Sequence, residues 1–115
     1  MGGNQLEVLT ITEKGSPEEI KKRKGVVITA RIHPGESNSS FVMKGIIDFI
    51  TSPDSLDAEL LRKNFVFKLV PMINVDGVIC GNYRCSLSGQ DLNRRWKKPN
   101  VLLYPEIESI KKLVE

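Results

Sequence analysis

The sequence lacks the features that define several common protein classes. Its two cysteines, Cys80 and Cys85, are spaced as neither a CxxC motif nor a zinc knuckle. No apolar run approaches the roughly 20 residues of a membrane-spanning helix, and the N-terminal residues lack the apolar core of a signal peptide. We therefore expect a cytoplasmic protein without membrane contact, whose two thiols are reduced. A disulfide across the Gly-Asn turn between them would instead fit a secreted protein.

The chain also lacks a large excess of charge of either sign. The chain has 17 Lys and Arg against 14 Asp and Glu, a formal net charge of +3. Much of the positive charge lies in two clusters, at residues 21–24 and 94–98. Such clusters occur in nucleic-acid-binding proteins, but here the acidic residues nearly balance the total. We therefore expect no nucleic acid and favour an acidic substrate as the partner.

The order of apolar patterns predicts a single α/β domain in 115 residues. Strands are predicted at 6–12, 26–32 and 65–70. A wide apolar stripe predicts a well-buried helix at about 38–51, and Ser52-Pro53-Asp54 predicts the start of a second helix. The second helix would have an apolar face, and a last helix would begin at Pro105. The apolar face of the second helix comprises Leu56, Leu60 and Leu61. The remaining segments are predicted to be a loop or short helical turn at 13–24, a turn at 74–77 and an ordered loop at 84–100.

One tetrapeptide combines the only histidine of the chain with a nearby acid: His33-Pro34-Gly35-Glu36. It follows a predicted buried strand and precedes a predicted helix, which is where ligands bind in open α/β sheets. Histidine and carboxylate are ligands of catalytic zinc, and the proline excludes a continuous helix through the motif. The alternative is an exposed turn in which His33 ends the strand and Glu36 favours the helix N-terminus.

A second group of residues could bind an anion. Arg84 is followed by Asn93 and Arg94 in a segment without helical or strand periodicity. Arginine presents a planar set of donors that fits a carboxylate, and an asparagine amide adds a neutral donor beside it. The alternative is a solvated basic loop.

Taken together, four segments closely resemble zinc carboxypeptidases, and within them the cytosolic branch that removes glutamates from tubulin and other proteins. The segments occur in the order found in that family. They are Arg31–Ser40, Pro71–Val78, Gly81–Leu87 and Asp91–Arg94.

The resemblance implies a role for each matching residue. His33 and Glu36 match two zinc ligands, and Arg84 matches the arginine that stabilises the oxyanion of the intermediate. Asn93 and Arg94 match the pair that binds the terminal carboxylate of the substrate. The implied cofactor is one zinc ion, the implied partners are acidic C-terminal tails such as those of tubulin, and the implied fold is part of the carboxypeptidase fold, with a mixed, mostly parallel sheet.

The resemblance is incomplete, because the third zinc ligand and the general-base glutamate of the family have no counterpart here. Cys80, Cys85 and Asp91 remain open as a substitute third ligand. Residues 1–115 would then be the N-terminal portion of a catalytic domain, and inactive alone. Two alternatives are a non-catalytic product that binds carboxylate tails and an aspartoacylase-like zinc amidohydrolase. The chain departs from the family at two positions. Val75 in the turn is expected to have little chemical effect. Arg95 lies beside Asn93 and Arg94, the predicted carboxylate clamp, and is expected to favour acidic substrates.

Overall fold

The structure is a computed structural model and describes residues 2–115. Its sheet has three strands in the order β1-β3-β2. β2 runs parallel to β3 and β1 runs antiparallel to it. The mixed sheet, with helices packed on it, agrees with the predicted α/β class. The strands are β1 (Leu9–Ile11), β2 (Lys24–Thr29) and β3 (Phe65–Val70).

The two helices that lie between β2 and β3 in the chain form the crossover that connects these parallel strands, as parallel pairing requires. Among residues 2–115, no helix is long and apolar enough to cross a membrane. The helices are α1 (Pro17–Lys22), α2 (Asn38–Ile50), α3 (Leu56–Asn64), α4 (Val75–Ile79) and α5 (Pro105–Val114), with a 3₁₀ turn at Leu92–Arg94.

Serine caps decide where α1 and α3 begin. Ser16 starts α1 with a capping box, in which its hydroxyl accepts from the amide of Glu19 and the Glu19 carboxylate accepts from the amide of Ser16. α3 begins later than predicted, because the cap is Ser55 and not Ser52. The Ser55 hydroxyl accepts from the amide of Ala58 at 3.2 Å.

The core has two parts. The first lies between the sheet and α2, where Leu69 and Met43 are fully or almost fully buried. The second lies beyond the carboxyl end of β3, where α5 and the 3₁₀ turn bury Ile107 and Leu92 completely. Because the second part joins α5 to the long loop, it fixes the segment that carries the predicted anion-binding residues.

The predicted burial of α2 is wrong on its outer face. Met43 and Ile50 are buried, but Phe41 and Val42 are 76% and 62% exposed. The apolar stripe is wider than the surface that the sheet offers to it within residues 2–115. The apolar face predicted for α3 is wrong for the same reason: Leu56 and Leu60 are exposed, Leu61 is half-buried, and the buried residue is Ala58.

Two strands are shorter or shifted relative to the prediction. Only residues 9–11 of the predicted strand 6–12 pair with β3. β2 begins at Lys24 and ends at Thr29, before the predicted end at residue 32. The amide of Ala30 still donates to the Val70 carbonyl at 2.9 Å, and then Arg31 adopts a φ of +55° that breaks the strand. This break starts the turn that carries the predicted metal ligands.

Candidate metal and carboxylate-binding site

The turn after β2 depends on Arg31. Its left-handed backbone conformation costs a non-glycine residue roughly 1–2 kcal/mol, so other contacts must hold it. The Arg31 side chain supplies them: Nε donates to the Pro34 carbonyl at 2.8 Å and Nη1 donates to the Ser40 hydroxyl at 2.8 Å. Arg31 therefore connects the turn to the first part of α2.

The turn brings the two predicted metal ligands together. His33 Nδ1 lies 3.0 Å from Glu36 Oε1. The histidine is 6% exposed, whereas the Glu36 side chain is 47% exposed. The ring of Pro34 packs against α4, where a Cβ on Gly77 would lie only 2.6 Å from Pro34 Cγ. The imidazole is thus buried, and the carboxylate is accessible from solvent.

α4 itself corrects the predicted turn at residues 74–77. Asn74 is fully buried and caps this short helix, its Oδ1 accepting from the Gly77 amide at 3.0 Å. Its Nδ2 donates to the Ile32 carbonyl at 3.3 Å. Asn74 therefore links α4 to the residue that precedes His33, which spacing along the sequence did not indicate.

The other ring nitrogen of His33 contacts Asp91. Nε2 lies 3.1 Å from Asp91 Oδ1, and the same oxygen accepts from the Asn93 amide at 2.9 Å. Asp91 Oδ2 accepts from Arg84 Nε at 2.8 Å. Sequence reasoning had placed Asp91 only among the open candidates for a third ligand. Because Asp91 contacts the nitrogen opposite Glu36, its carboxylate is placed to orient the ring.

The number of protons on the His33 imidazole limits what can lie between His33 and Glu36; we call this argument the proton accounting. A neutral imidazole has one N–H donor, and two carboxylates face its two nitrogens. If Nε2 donates to Asp91, then Nδ1 and Glu36 Oε1 are two acceptors only 3.0 Å apart. Such a contact needs a proton or a cation between the atoms: a second ring proton, a proton on Glu36 or a metal ion. Carboxylate–histidine–metal arrangements of this kind are common in metalloenzymes.

The pKa of Asp91 lies below its usual value. Burial alone would raise it, but hydrogen bonds from His33, Arg84 and the Asn93 amide, together with the Arg84 charge, outweigh that effect. Asp91 is therefore held as a carboxylate, the state that accepts from an imidazole and from a guanidinium at once.

Arg84, the residue expected to stabilise the oxyanion, lies beside the pair. Its Nη1 is 3.8 Å from Glu36 Oε1, and its side chain is 45% exposed. The backbone reaches this position through Gly81, whose φ is +72°, and through the Asn82 amide, which donates to the Gly77 carbonyl at 2.9 Å. The Nε of the guanidinium thus contacts Asp91, and its Nη1 lies near the solvent-accessible carboxylate of Glu36.

The predicted carboxylate clamp lies in the 3₁₀ turn. Asn93 and Arg94 are both exposed, and Asn93 Oδ1 accepts from Trp96 Nε1 at 2.8 Å. That bond occupies the amide oxygen, and the Asn93 NH₂ group makes no hydrogen bond among residues 2–115. Arg95 is half-buried and donates to Gln90 Oε1, so its charge faces the protein more than the solvent.

Comparison with known proteins identifies the fold and the family. The family model described as zinc carboxypeptidase matches residues 1–106. The chain belongs to the zinc carboxypeptidase family. Cytosolic carboxypeptidase 4 of Homo sapiens is 52% identical over 120 residues, covering 99% of this chain. Cytosolic carboxypeptidase 2 of Macaca fascicularis is 59% identical over 98 residues, covering 84%.

Solved zinc carboxypeptidases share the fold of this chain. The metallo-carboxypeptidase of Burkholderia cenocepacia superposes with a TM-score of 0.84 at 29% identity, covering 93% of this chain and 28% of that one. The enzyme of Pseudomonas aeruginosa, solved with (2-guanidinoethylmercapto)succinic acid, gives 0.85 at 31% identity, covering 96% and 28%. Both confirm the fold predicted from the four sequence segments.

The chain spans about a tenth of the length of its named relatives: 11% of the human protein and 12% of the macaque one.

The zinc carboxypeptidase family implies a zinc ion, and the two predicted ligands fit one in part. Two donors each about 2.0–2.2 Å from a zinc ion lie about 3–3.5 Å apart, which matches the His33–Glu36 distance. Residues 2–115 contain no cluster of three or more metal-binding side chains, and Cys80 and Cys85 are free thiols.

Proposed function

We propose that the full-length protein containing this chain is a zinc-dependent carboxypeptidase of the cytoplasm, and that it removes C-terminal glutamates from acidic tails such as those of tubulin. The observation that carries the proposal is the contact of one buried imidazole with two carboxylates, Glu36 on Nδ1 and Asp91 on Nε2. With Nε2–H donating to Asp91, a cation between Nδ1 and Glu36 Oε1 would satisfy both contacts of a neutral ring. The named cytosolic relatives support the branch.

His33 and Glu36 would hold the metal in this proposal. When bound, zinc polarises the scissile carbonyl and activates a water molecule. Asp91 would accept a hydrogen bond from the Nε2–H of His33, so that the Nδ1 lone pair points toward Glu36. Burial of the ring and its contact with Asp91 keep that direction fixed, and a fixed donor costs no reorganisation during the reaction.

Arg84 would stabilise the oxyanion that develops on the substrate. Its Nε is held by Asp91 at 2.8 Å, which leaves the Nη groups directed to the open side near Glu36. Because Asp91 keeps the guanidinium in place, the donors are already oriented before the negative charge appears. Preorganised donors of this kind usually contribute about 10²–10³-fold to the rate.

Asn93 and Arg94 would bind the terminal carboxylate. Arg94 offers a bidentate set of donors, and the NH₂ group of Asn93 adds a third that no other described residue uses. The Asn93 amide also donates to Asp91, which joins the clamp to His33 through one carboxylate. Specificity for a free terminus follows from this arrangement.

The test compares two substrates in the full-length protein. Glutamate-ended peptides with a free or an amidated C-terminus are offered to the wild type, Arg94→Ala and, as a control for loss of one nearby positive charge, Lys98→Ala. Loss of a charged hydrogen-bond partner costs about 1.5–3 kcal/mol, so Arg94→Ala should lower kcat/KM for the free terminus about 10–100-fold. The amidated peptide and Lys98→Ala should change little.

Three outcomes would contradict the proposal. Equal losses on both peptides remove Arg94 from the clamp. Binding of glutamate tails without release of glutamate, in a protein that binds zinc, supports the non-catalytic alternative. Hydrolysis of N-acyl amino acids in preference to peptides supports the aspartoacylase-like alternative. His33→Ala should abolish release of glutamate in the proposed enzyme.

A further inference from the structure

A second contact holds the metal-ligand turn from the solvent side. Tyr83 precedes Arg84, and its carbonyl oxygen accepts a hydrogen bond from the Gly35 amide at 2.7 Å. Gly35 lies between the two proposed metal ligands, one residue before Glu36. The chain segment that carries the arginine is therefore bonded, through its backbone, to the turn that carries the metal pair.

The ring of Tyr83 adds a contact at the same place. A Cβ on Gly35 would lie 2.7 Å from Tyr83 Cε2 and closer still to Cδ2. The ring edge thus lies directly on the Gly35 backbone. The Tyr83 carbonyl oxygen would lie 2.8 Å from the same Cβ, so no residue larger than glycine fits at position 35 without a shift of the backbone.

Burial shows what this ring does and does not do. Tyr83 is 77% exposed, and its hydroxyl has no hydrogen-bond partner among residues 2–115. A ring with so little buried area contributes little to the core, so its removal should cost little global stability. Its contact with Gly35 is nevertheless direct, and Gly35 sets the position of the Glu36 carboxylate.

We propose that Tyr83 is a positioning residue for the metal-binding pair, an inference that rests on the proposed function. Its carbonyl and its ring edge fix the Gly35 peptide. Glu36 Oε1 then stays 3.0 Å from His33 Nδ1 and 3.8 Å from Arg84 Nη1. Tyr83 touches neither the metal nor the reacting atoms in this role, and it acts through Gly35.

The test measures zinc affinity in the full-length protein by competition with a chromogenic chelator. Loss of a residue that orients a metal ligand typically weakens metal binding by 10–100-fold, and we expect about 10-fold for Tyr83→Ala because the backbone bond remains. Tyr83→Phe keeps the ring and should stay within about twofold of the wild type. Phe41→Ala is the matched control for loss of an aromatic side chain, because within residues 2–115 Phe41 on α2 has a similar exposed fraction, 76%.

A second readout separates positioning from general stability and from substrate contact. The midpoints of thermal unfolding should shift by similar small amounts in Tyr83→Ala and Phe41→Ala. In steady-state kinetics with excess zinc, Tyr83→Ala should lower kcat and leave KM for glutamate-ended peptides within about twofold. A raised KM with unchanged zinc affinity would make the ring a substrate contact and overturn the positioning role.

The remaining outcomes distinguish this inference from the function on which it rests. If Tyr83→Ala binds zinc as tightly as the wild type while His33→Ala does not, the positioning role is wrong and the metal site stands. If Tyr83→Phe is as weak as Tyr83→Ala, the ring-edge contact is not the cause, and the inference is wrong. A wild-type protein that binds no zinc overturns both.

Discussion

Removal of the Asp91 carboxylate should weaken both the fold and the metal site. In Asp91→Ala, the buried Nε2 of His33 loses its partner, which costs about 1–3 kcal/mol, and the 3₁₀ turn loses its cap, which costs about 0.5–2 kcal/mol. The ion pair with Arg84 is partly exposed, at 45% and 23% of the two side chains, and adds about 0–1 kcal/mol. We expect the free energy of unfolding to fall by about 2–4 kcal/mol and the zinc Kd to rise about 10–100-fold.

A more conservative variant separates the two effects. In Asp91→Asn, Oδ1 still accepts from His33 and from the Asn93 amide, so most of the stability should remain. The amide NH₂ then faces Arg84 Nε, donor against donor, and its oxygen carries no charge to support the imidazole. The zinc Kd should therefore rise in Asp91→Asn although the free energy of unfolding changes by less than in Asp91→Ala.

The measurements are urea unfolding and zinc competition in the full-length protein, with Asp54→Ala as the control. Asp54 is an exposed aspartate without a hydrogen bond or ion pair within residues 2–115. Its replacement should change neither quantity. If Asp91→Ala binds zinc with wild-type affinity, Asp91 does not orient His33, and the proton accounting that led to a cation at Nδ1 is wrong.

Three further changes test the packing and the electrostatics. Leu69→Ala should lower the free energy of unfolding by about 2–5 kcal/mol, and the exposed Leu102→Ala should have almost no effect, both by urea titration. Gly77→Ala should destabilise by about 1–3 kcal/mol because its Cβ would overlap the proline of the metal-ligand turn, whereas Gly45→Ala, with open space around it, should stabilise α2 by about 0.5–1 kcal/mol in the same assay. The pKa of Glu19 is lowered mainly by the hydrogen bond from the Ser16 amide, so the stabilising effect of its carboxylate should be present above pH 4.5 and disappear as pH falls through the lowered pKa. The free energies of unfolding of Glu19→Ala and the wild type should therefore differ above pH 4.5 and converge in acid. A difference that persists in acid would contradict this prediction.

Elements that are paired on both sides could be predicted from the sequence, and elements at the edge could not. β3 runs from Phe65 to Val70 as predicted, because a nearly continuous apolar segment ends at Pro71 and both neighbours bury it. β1 is only three residues long, because its length depends on how many residues meet a partner and not on its own composition. The exposed Phe41 of α2 shows the same dependence on surfaces outside the helix.

Local spacing predicted one half of the site. His33 and Glu36 are three residues apart in a turn, so sequence alone brought them together. Asp91 lies 58 residues from His33, and no periodicity indicates that contact. A signal was present nonetheless: Asp91 stands two residues before Asn93 in the clamp segment, and an acid there can cap the turn and face the imidazole. Tyr83 gave no comparable signal, because only the fold places its ring on Gly35.

The strand order gives β2 a distinct behaviour in solution. In the part of the chain described, β2 hydrogen-bonds to β3 alone, whereas β3 has a neighbour on each side. Every second amide of β2 therefore points away from the sheet. In deuterium exchange, those amides should exchange with solvent quickly, and the amides of Phe67 and Leu69 should be among the slowest. The backbone next to the metal-ligand turn would thus contain fast and slow amides in alternation along a single strand.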